Sequence, residues 1–118
     1  MHIAFIAMSG VRAASEELNR IGLTMPGFVE RSKVIASLPS LGLLTLAGLT
    51  PDDVEVSYHE IADIRTMGEL PPCDVAAIAS FTAQIKDAYV VADRYRARGV
   101  RVVLGGLHVT ARPDEAAE

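Results

Sequence analysis

The chain is poor in cysteine, in basic charge and in long apolar runs, and each shortage excludes a class of protein. Its one cysteine, Cys73, cannot form an intramolecular disulfide, so a reducing, cytoplasmic location is expected and the residue is interpreted as a half-buried thiol. The net charge is −4 with no basic stripe, which argues against nucleic acid as the main partner. The longest apolar stretch, residues 41–49, is far shorter than the roughly 20 residues that span a membrane. The first residues show no signal peptide.

Common nucleotide-site and hydrolase motifs are also missing. The first apolar run ends at Ser9 and Gly10 without a Gly-x-Gly-x-x-Gly sequence, which disfavours a dinucleotide site. There is no P-loop and no serine nucleophile elbow. Half of the 118 residues are hydrophobic, so the chain can form one globular domain with its own core.

Four short runs predict β-strands. They are residues 3–8, 54–58, 75–79 and 100–104. Three of these runs are apolar almost throughout, as buried parallel strands are, whereas residues 54–58 alternate and indicate a half-exposed edge strand. Together they favour a parallel sheet covered on both faces.

Helical spacing fills the intervals between these strands. Residues 84–98 form the clearest helix, which Thr82 can cap and Gly99 ends. Its predicted apolar face comprises Ile85, Ala88, Tyr89, Ala92 and Tyr95. Residues 40–49 are apolar nearly all round and are expected to form a well-buried helix, and residues 64–69 a short third one. Alternation of strand and helix predicts an α/β fold with right-handed crossovers.

Two segments depart from a minimal α/β layout. Residues 11–37 form a long insertion after the first strand. Residues 113–118 resemble the first turn of a helix at which the chain stops, so we expect a fragment truncated before its fifth strand. A missing fifth strand would expose a sheet edge, which predicts a homodimer formed through that edge.

The end of the fourth strand is the most informative part of the chain. Gly105 and Gly106 follow directly, and His108 and Thr110 come next. Ligands of open α/β sheets bind outside the carboxyl ends of the strands. The two glycines can serve a tight turn or the close approach of a ligand, and both interpretations remain open. His108 by itself is interpreted as a solvated or capping loop residue.

Two motifs carry a family resemblance. Pro39-Ser40-Leu41-Gly42-Leu43 opens a helix, and Gly105-Gly106-Leu107-His108-Val109-Thr110 follows the last strand. With the apolar first strand and residues 73–80, they resemble the N-terminal cobalamin-binding domain of cobalamin-dependent radical S-adenosylmethionine enzymes. In that family the two motifs are typically Pro-x-Leu-Gly-Leu and Gly-Gly-x-His-x-Thr.

The resemblance implies a flavodoxin-like (Rossmann-like) three-layer α/β/α fold with cobalamin across the carboxyl ends of the strands. On matching positions the cobalamin contacts would be Ser9, Gly10, Leu41, Gly42, Ser80, Phe81, Thr82, Gly105, Gly106, His108 and Thr110. From the residues alone, Ser80 and Thr82 can equally cap the helix that follows them.

The resemblance also implies a longer parent protein. The family's catalytic domain binds a 4Fe-4S cluster and S-adenosylmethionine, and one cysteine cannot supply the three thiolates of such a cluster. We therefore expect a catalytic domain C-terminal to this chain, performing methyl transfer or related radical chemistry. The chain itself is expected to hold cobalamin and to catalyse nothing.

The sequence departs from other cobalamin proteins in one motif, and two other functions remain as alternatives to cobalamin binding. None of His2, His59 and His108 lies in an Asp-x-His-x-x-Gly motif, so no histidine from that motif would ligate cobalt. A receiver or regulatory domain would place acidic residues after the first strand, where this chain has Ser9 and Gly10. A small flavin or nucleotide binder would place a phosphate-binding loop there, for which residues 9–12 are a weak candidate.

Overall fold

A computed structural model describes residues 1–8 and 39–118. The insertion at 11–37, together with Ser9 and Gly10, lies outside the described residues. The described part forms four parallel strands, which are β1 (His2–Met8), β2 (Glu55–Ile61), β3 (Val75–Ala79) and β4 (Arg101–Gly105). The four predicted strands are confirmed, with β3 at its predicted bounds and the others shifted or extended by a few residues.

The sheet has the strand order β2-β1-β3-β4. β2 lies beside β1 on one side of the central pair β1 and β3, and β4 lies beside β3 on the other side, so the sheet is doubly wound. β2 lies at an edge, as its alternating sequence predicts. This is the order of a flavodoxin-like fold, in which the crevice for ligands lies outside the carboxyl ends of β1 and β3.

The helices complete three layers. They are α1 (Leu41–Leu49), α2 (Ile85–Arg96), α3 (Leu107–Ala111) and α4 (Pro113–Ala117). β1 is buried on both faces, because Ala4 and Ile6 lie in the core that contains α2 residues, while Phe5 packs with Leu43 of α1. A continuous apolar sequence is what such a two-sided strand requires.

The larger core layer lies between α2 and the sheet. The side chains of Ile6, Ile78, Val91 and Tyr95 are almost fully buried in it. The Tyr95 hydroxyl donates to the Pro71 carbonyl at 3.0 Å. Cys73 packs at the margin of this layer and burial raises the pKa of its thiol, so the interpretation as a half-buried thiol is confirmed.

α2 agrees with its predicted apolar face at most positions. Four of the five predicted residues are buried, Tyr89 is half-buried, and Val91 is buried as well. Gly99 follows the helix with φ +76°, a conformation that glycine adopts without strain. The predicted Thr82 cap is wrong, because residues 82–84 form a 3-10 turn without a side-chain cap.

Two other helix predictions are wrong. α1 is not well buried: Leu43 is its buried residue, whereas Leu41 and Leu49 are 78% and 75% exposed. Among the described residues α1 packs against one face of the sheet, so its remaining sides lack neighbours. In place of the helix predicted at 64–69, residues 64–66 form a turn, because the Asp63 carboxylate accepts the backbone N–H of Arg65 at 2.9 Å.

The last residues are helical. α4 confirms the helical turn predicted at 113–118, whereas α3 was not predicted and carries His108 and Thr110 on a helix instead of a loop. The fifth strand expected after residue 118 remains a prediction. No helix in the described ranges is long and apolar enough to cross a membrane.

Candidate ligand site at the carboxyl edge of the sheet

A row of small residues crosses the carboxyl ends of three strands. Ala7 of β1 lies in register with Ala79 of β3, which lies in register with Gly105 of β4. Side chains alternate along a strand, and Leu104 packs on the α2 side of the sheet, so Gly105 faces the α1 side. Ala7 and Ala79 pack in the core cluster on that same side. Ala7 is almost fully buried, whereas Ala79 and Gly105 are half-buried, so the row is a shallow surface only at its β3 and β4 end.

The two glycines after β4 have different roles. Gly106 has φ +105°, and a Cβ there would collide with the backbone carbonyl of Ser80. The Ser80 N–H donates to the Gly105 carbonyl at 3.3 Å, so the two strand ends are already in close contact. The tight-turn interpretation therefore applies to Gly106. Gly105 has an ordinary φ, and a Cβ built there would meet no atom of the described residues within 4 Å, so among them the space beside it is open to a ligand.

Exposed apolar side chains follow the same strand ends. Phe81 comes after β3 and is 57% exposed, and Leu107 begins α3 and is 73% exposed. Ser80 is buried, and its hydroxyl donates to the Phe81 carbonyl at 2.9 Å, so it neither caps a helix nor projects toward solvent. The edge therefore combines apolar surface with open space.

His108 is fixed by two hydrogen bonds. Its Nδ1 lies 3.2 Å from the Thr82 hydroxyl, and its Nε2 lies 3.1 Å from Oε1 of Glu115. The side chain is only 13% exposed. The interpretation as a solvated or capping loop residue is therefore wrong, because α4 places a carboxylate against the ring. Thr82, which was expected to cap α2, contacts His108 instead.

The Glu115 carboxylate has two further partners. The Tyr89 hydroxyl donates to Oε1 at 3.2 Å, and Arg112 lies 3.6 Å from Oε2. The hydrogen bond with His108 holds the pKa of Glu115 below its usual range, and the bond from Tyr89 acts in the same direction. Burial, reinforced by Glu115, raises the pKa of Tyr89. Near neutral pH the carboxylate is therefore ionised and the phenol keeps its proton.

The structure does not bring every predicted site residue to this point. The Thr110 hydroxyl donates to the Gly106 carbonyl within α3, at 3.0 Å. Leu41 and Gly42 begin α1, and no hydrogen bond among the described residues joins them to His108. Ser9 and Gly10 lie outside the described residues.

Three residues make contacts in these segments that the sequence did not predict. Glu115 and Tyr89 bind each other across α4 and α2, and no spacing in the sequence indicates that contact. Tyr58 of β2 accepts the backbone N–H of Ser40 through its hydroxyl at 2.8 Å and so fixes the start of α1. In the sequence, the only indication that Tyr58 faces other residues of the fold was its alternation with polar neighbours in β2.

A cleft of about 670 Å³ lies on the other face of the sheet. Its walls include Val102, Leu104, Ala92 and Pro113. Glu115, which contacts His108, also lines this cleft. Because Gly105 faces the opposite side, this cleft is separate from the row of small residues. In the described part of the chain, no group of three His, Cys, Asp or Glu residues could hold a metal ion.

Two methyltransferases are similar to this chain. It is 40% identical over 83 residues to bacteriochlorophyllide d C-8(2)-methyltransferase of Chlorobaculum tepidum, a match that covers 66% of this chain and 17% of that protein. It is 38% identical over 84 residues to bacteriochlorophyllide d C-12(1)-methyltransferase of the same organism, which covers 68% of this chain and 18% of that protein. No protein-family model and no solved structure matches the chain.

These relatives define the class of protein to which the chain is similar, namely methyltransferases. The matched segment spans less than a fifth of the length of either relative. The chain is therefore homologous to one part of these enzymes.

Proposed function

We propose that this chain is the cobalamin-binding module of a radical S-adenosylmethionine methyltransferase. The observation that carries the proposal is the pair of small, half-buried residues Ala79 and Gly105 at neighbouring strand ends, where a Cβ on Gly105 would meet no described residue within 4 Å. A corrin ring is broad and flat, so it needs a surface without projecting side chains. The methyltransferase relatives and the flavodoxin-like strand order support the same assignment.

The residues at this edge fit such a ligand. Ala79 and Gly105 would lie beneath the ring, and Phe81 and Leu107 offer apolar contact at its margin. The exposed Thr82 could offer its hydroxyl to the polar side chains that surround a corrin. When bound, cobalamin supplies a cobalt atom that can carry a methyl group.

The histidines fit a cobalamin that takes no cobalt ligand from this chain. Both ring nitrogens of His108 have partners. His2 and His59 bond to the Ser57 hydroxyl at 2.8 and 3.0 Å, on the face of the sheet opposite Gly105. These are the only three histidines in the sequence. We propose that the chain holds the cofactor by surface contact and hydrogen bonds.

The proposed parent protein contains a separate catalytic domain. One cysteine cannot ligate a 4Fe-4S cluster, so the cluster and S-adenosylmethionine would be bound by another domain, which we place C-terminal to this one. The matched segment covers less than a fifth of each relative, so these relatives are long enough to contain such a domain. In this arrangement the cobalamin module catalyses nothing by itself.

Titration with hydroxocobalamin, followed by absorbance and calorimetry, tests the proposal. It uses this chain and a version extended past residue 118. We expect saturable binding by at least one of them, weakened by Gly105→Val at least about tenfold because the new side chain fills the open space. The matched control is Gly68→Val, in the loop between β2 and β3, where a Cβ also meets no described residue within 4 Å.

The outcomes separate the proposal from its alternatives. Thermal melts establish that both variants fold, which Gly106→Val could not guarantee because of its collision with Ser80. Absence of binding by both lengths of chain overturns the proposal. Saturable binding of flavin mononucleotide in place of cobalamin would replace it with the flavin-binding alternative.

A further inference from the structure

Thr82, His108 and Glu115 form a chain of hydrogen bonds that ends at the candidate site. The three residues come from the turn after β3, from α3 and from α4. The Thr82 hydroxyl lies 3.2 Å from Nδ1 of His108, and Nε2 of the same ring lies 3.1 Å from Glu115. Thr82 is exposed at the carboxyl edge of the sheet, whereas the ring behind it is mostly covered. The two inner residues therefore determine how the outer hydroxyl is oriented.

The position of each proton follows from the Glu115 carboxylate. An ionised carboxylate only accepts hydrogen bonds, so the Nε2 that faces it must carry a proton. The Tyr89 hydroxyl also donates to this oxygen, and Arg112 lies beside the other one, so both keep the group in its acceptor state. A neutral imidazole protonated at Nε2 has a bare Nδ1, which can only accept. While the ring is neutral, the Thr82 hydroxyl must then donate its proton to Nδ1.

We propose that His108 is a positioning residue that fixes the Thr82 hydroxyl as a hydrogen-bond acceptor toward the ligand. With its proton held by Nδ1, the hydroxyl keeps its two lone pairs and can only accept from a ligand. It therefore selects ligand groups that donate, such as primary carboxamides, and disfavours carboxylates. That ligand class rests on the proposed function, because the corrin of cobalamin carries carboxamide side chains. The orientation of the hydroxyl does not rest on it.

The first part of the test is the tautomer of His108. Long-range proton–nitrogen NMR spectra, recorded above neutral pH and assigned with His108→Gln, distinguish a protonated from a bare ring nitrogen. We expect Nε2 protonated and Nδ1 bare in the unmodified chain. Glu115→Ala removes the acceptor, so the two nitrogen shifts should converge. Glu118→Ala makes the same change of charge near the same helix and should leave them unchanged.

The second part is a double-mutant cycle on hydroxocobalamin binding. Thr82→Val keeps the shape of the side chain but removes the acceptor, and should weaken binding about tenfold, whereas Thr82→Ser should not. If Glu115 acts through Thr82, adding Glu115→Ala to Thr82→Val causes little further loss. A merely structural role for Glu115 would instead give additive losses.

Each result has a defined meaning. A proton on Nδ1 in the unmodified chain, or a tautomer that Glu115→Ala leaves unchanged, overturns the proposal. Additive losses in the cycle overturn the selective role of Thr82. A chain that shows the expected tautomer but binds no cobalamin at either length contradicts the proposed function alone. That result leaves the orientation of the Thr82 hydroxyl supported, and free carboxamides then serve as the binding probe.

Discussion

At the scale of single residues, two adjacent glycines give opposite predictions. Gly106→Ala should destabilise the fold by about 2–4 kcal/mol, because it combines a positive φ with a collision against the Ser80 backbone. Gly105→Ala should change the free energy of unfolding by less than about 1 kcal/mol, since its Cβ position is open. Urea unfolding measures both variants. Equal losses would contradict the different roles assigned to the two glycines.

His59 gives a prediction for pH dependence at the same scale. Burial lowers the pKa of His59 below its ordinary value of 6.5, and the nearby His2 acts in the same direction. The His59 imidazole is therefore harder to protonate in the folded chain than in the unfolded one. The stability that comes from keeping it neutral is fully present above pH 6.5 and is lost as the pH falls through the lowered pKa. In His59→Gln the urea midpoint should fall less on acidification. An unchanged pH profile in that variant would show that other groups cause the acid sensitivity.

At the scale of elements, α1 depends on one tyrosine. The Tyr58 hydroxyl accepts the Ser40 N–H at 2.8 Å and donates to Glu60 at 3.1 Å, which fixes the start of the helix. Tyr58→Phe should cost about 1 kcal/mol and speed hydrogen exchange in the first turn of α1. Tyr89→Phe removes a hydroxyl elsewhere and should leave the exchange of α1 unchanged. Uniform loss of protection over the whole sheet would argue against a local role.

The elements also show what a sequence can predict. The strands were predicted because continuous apolar runs are a local signal of burial on both faces. The exposure of α1 was not, because burial depends on the neighbours that a helix finds. The turn at residues 64–66 replaced a helix because one carboxylate, that of Asp63, satisfied a backbone N–H.

The candidate site was also predictable only in part. The positions of Thr82 and Gly105 at one edge follow from parallel strands, whose carboxyl ends meet. The contact between His108 and Glu115 does not, since it depends on how two short helices pack after β4. The separate roles of Gly105 and Gly106 also needed the backbone angles, because both positions read alike in the sequence.

At the scale of the whole molecule, the open edge of the sheet is where we expect association. In the described part of the chain, β4 pairs on one side with β3 and has no strand on the other. Val103 of this edge strand is 58% exposed. Unpaired backbone groups beside apolar side chains favour pairing with a second copy. The predicted homodimer would therefore form through β4.

Light scattering over a range of concentrations tests this edge directly. The unmodified chain should associate as its concentration rises, because pairing two β4 strands satisfies backbone groups that otherwise bond to water. Val103→Lys should shift the mixture toward monomer, since a charge on an edge strand opposes pairing. Val90→Lys is the matched control, placed on an exposed position of α2. A single monomeric species at high concentration would refute association through β4, and an equal effect of the two lysines would assign it to net charge instead of the edge.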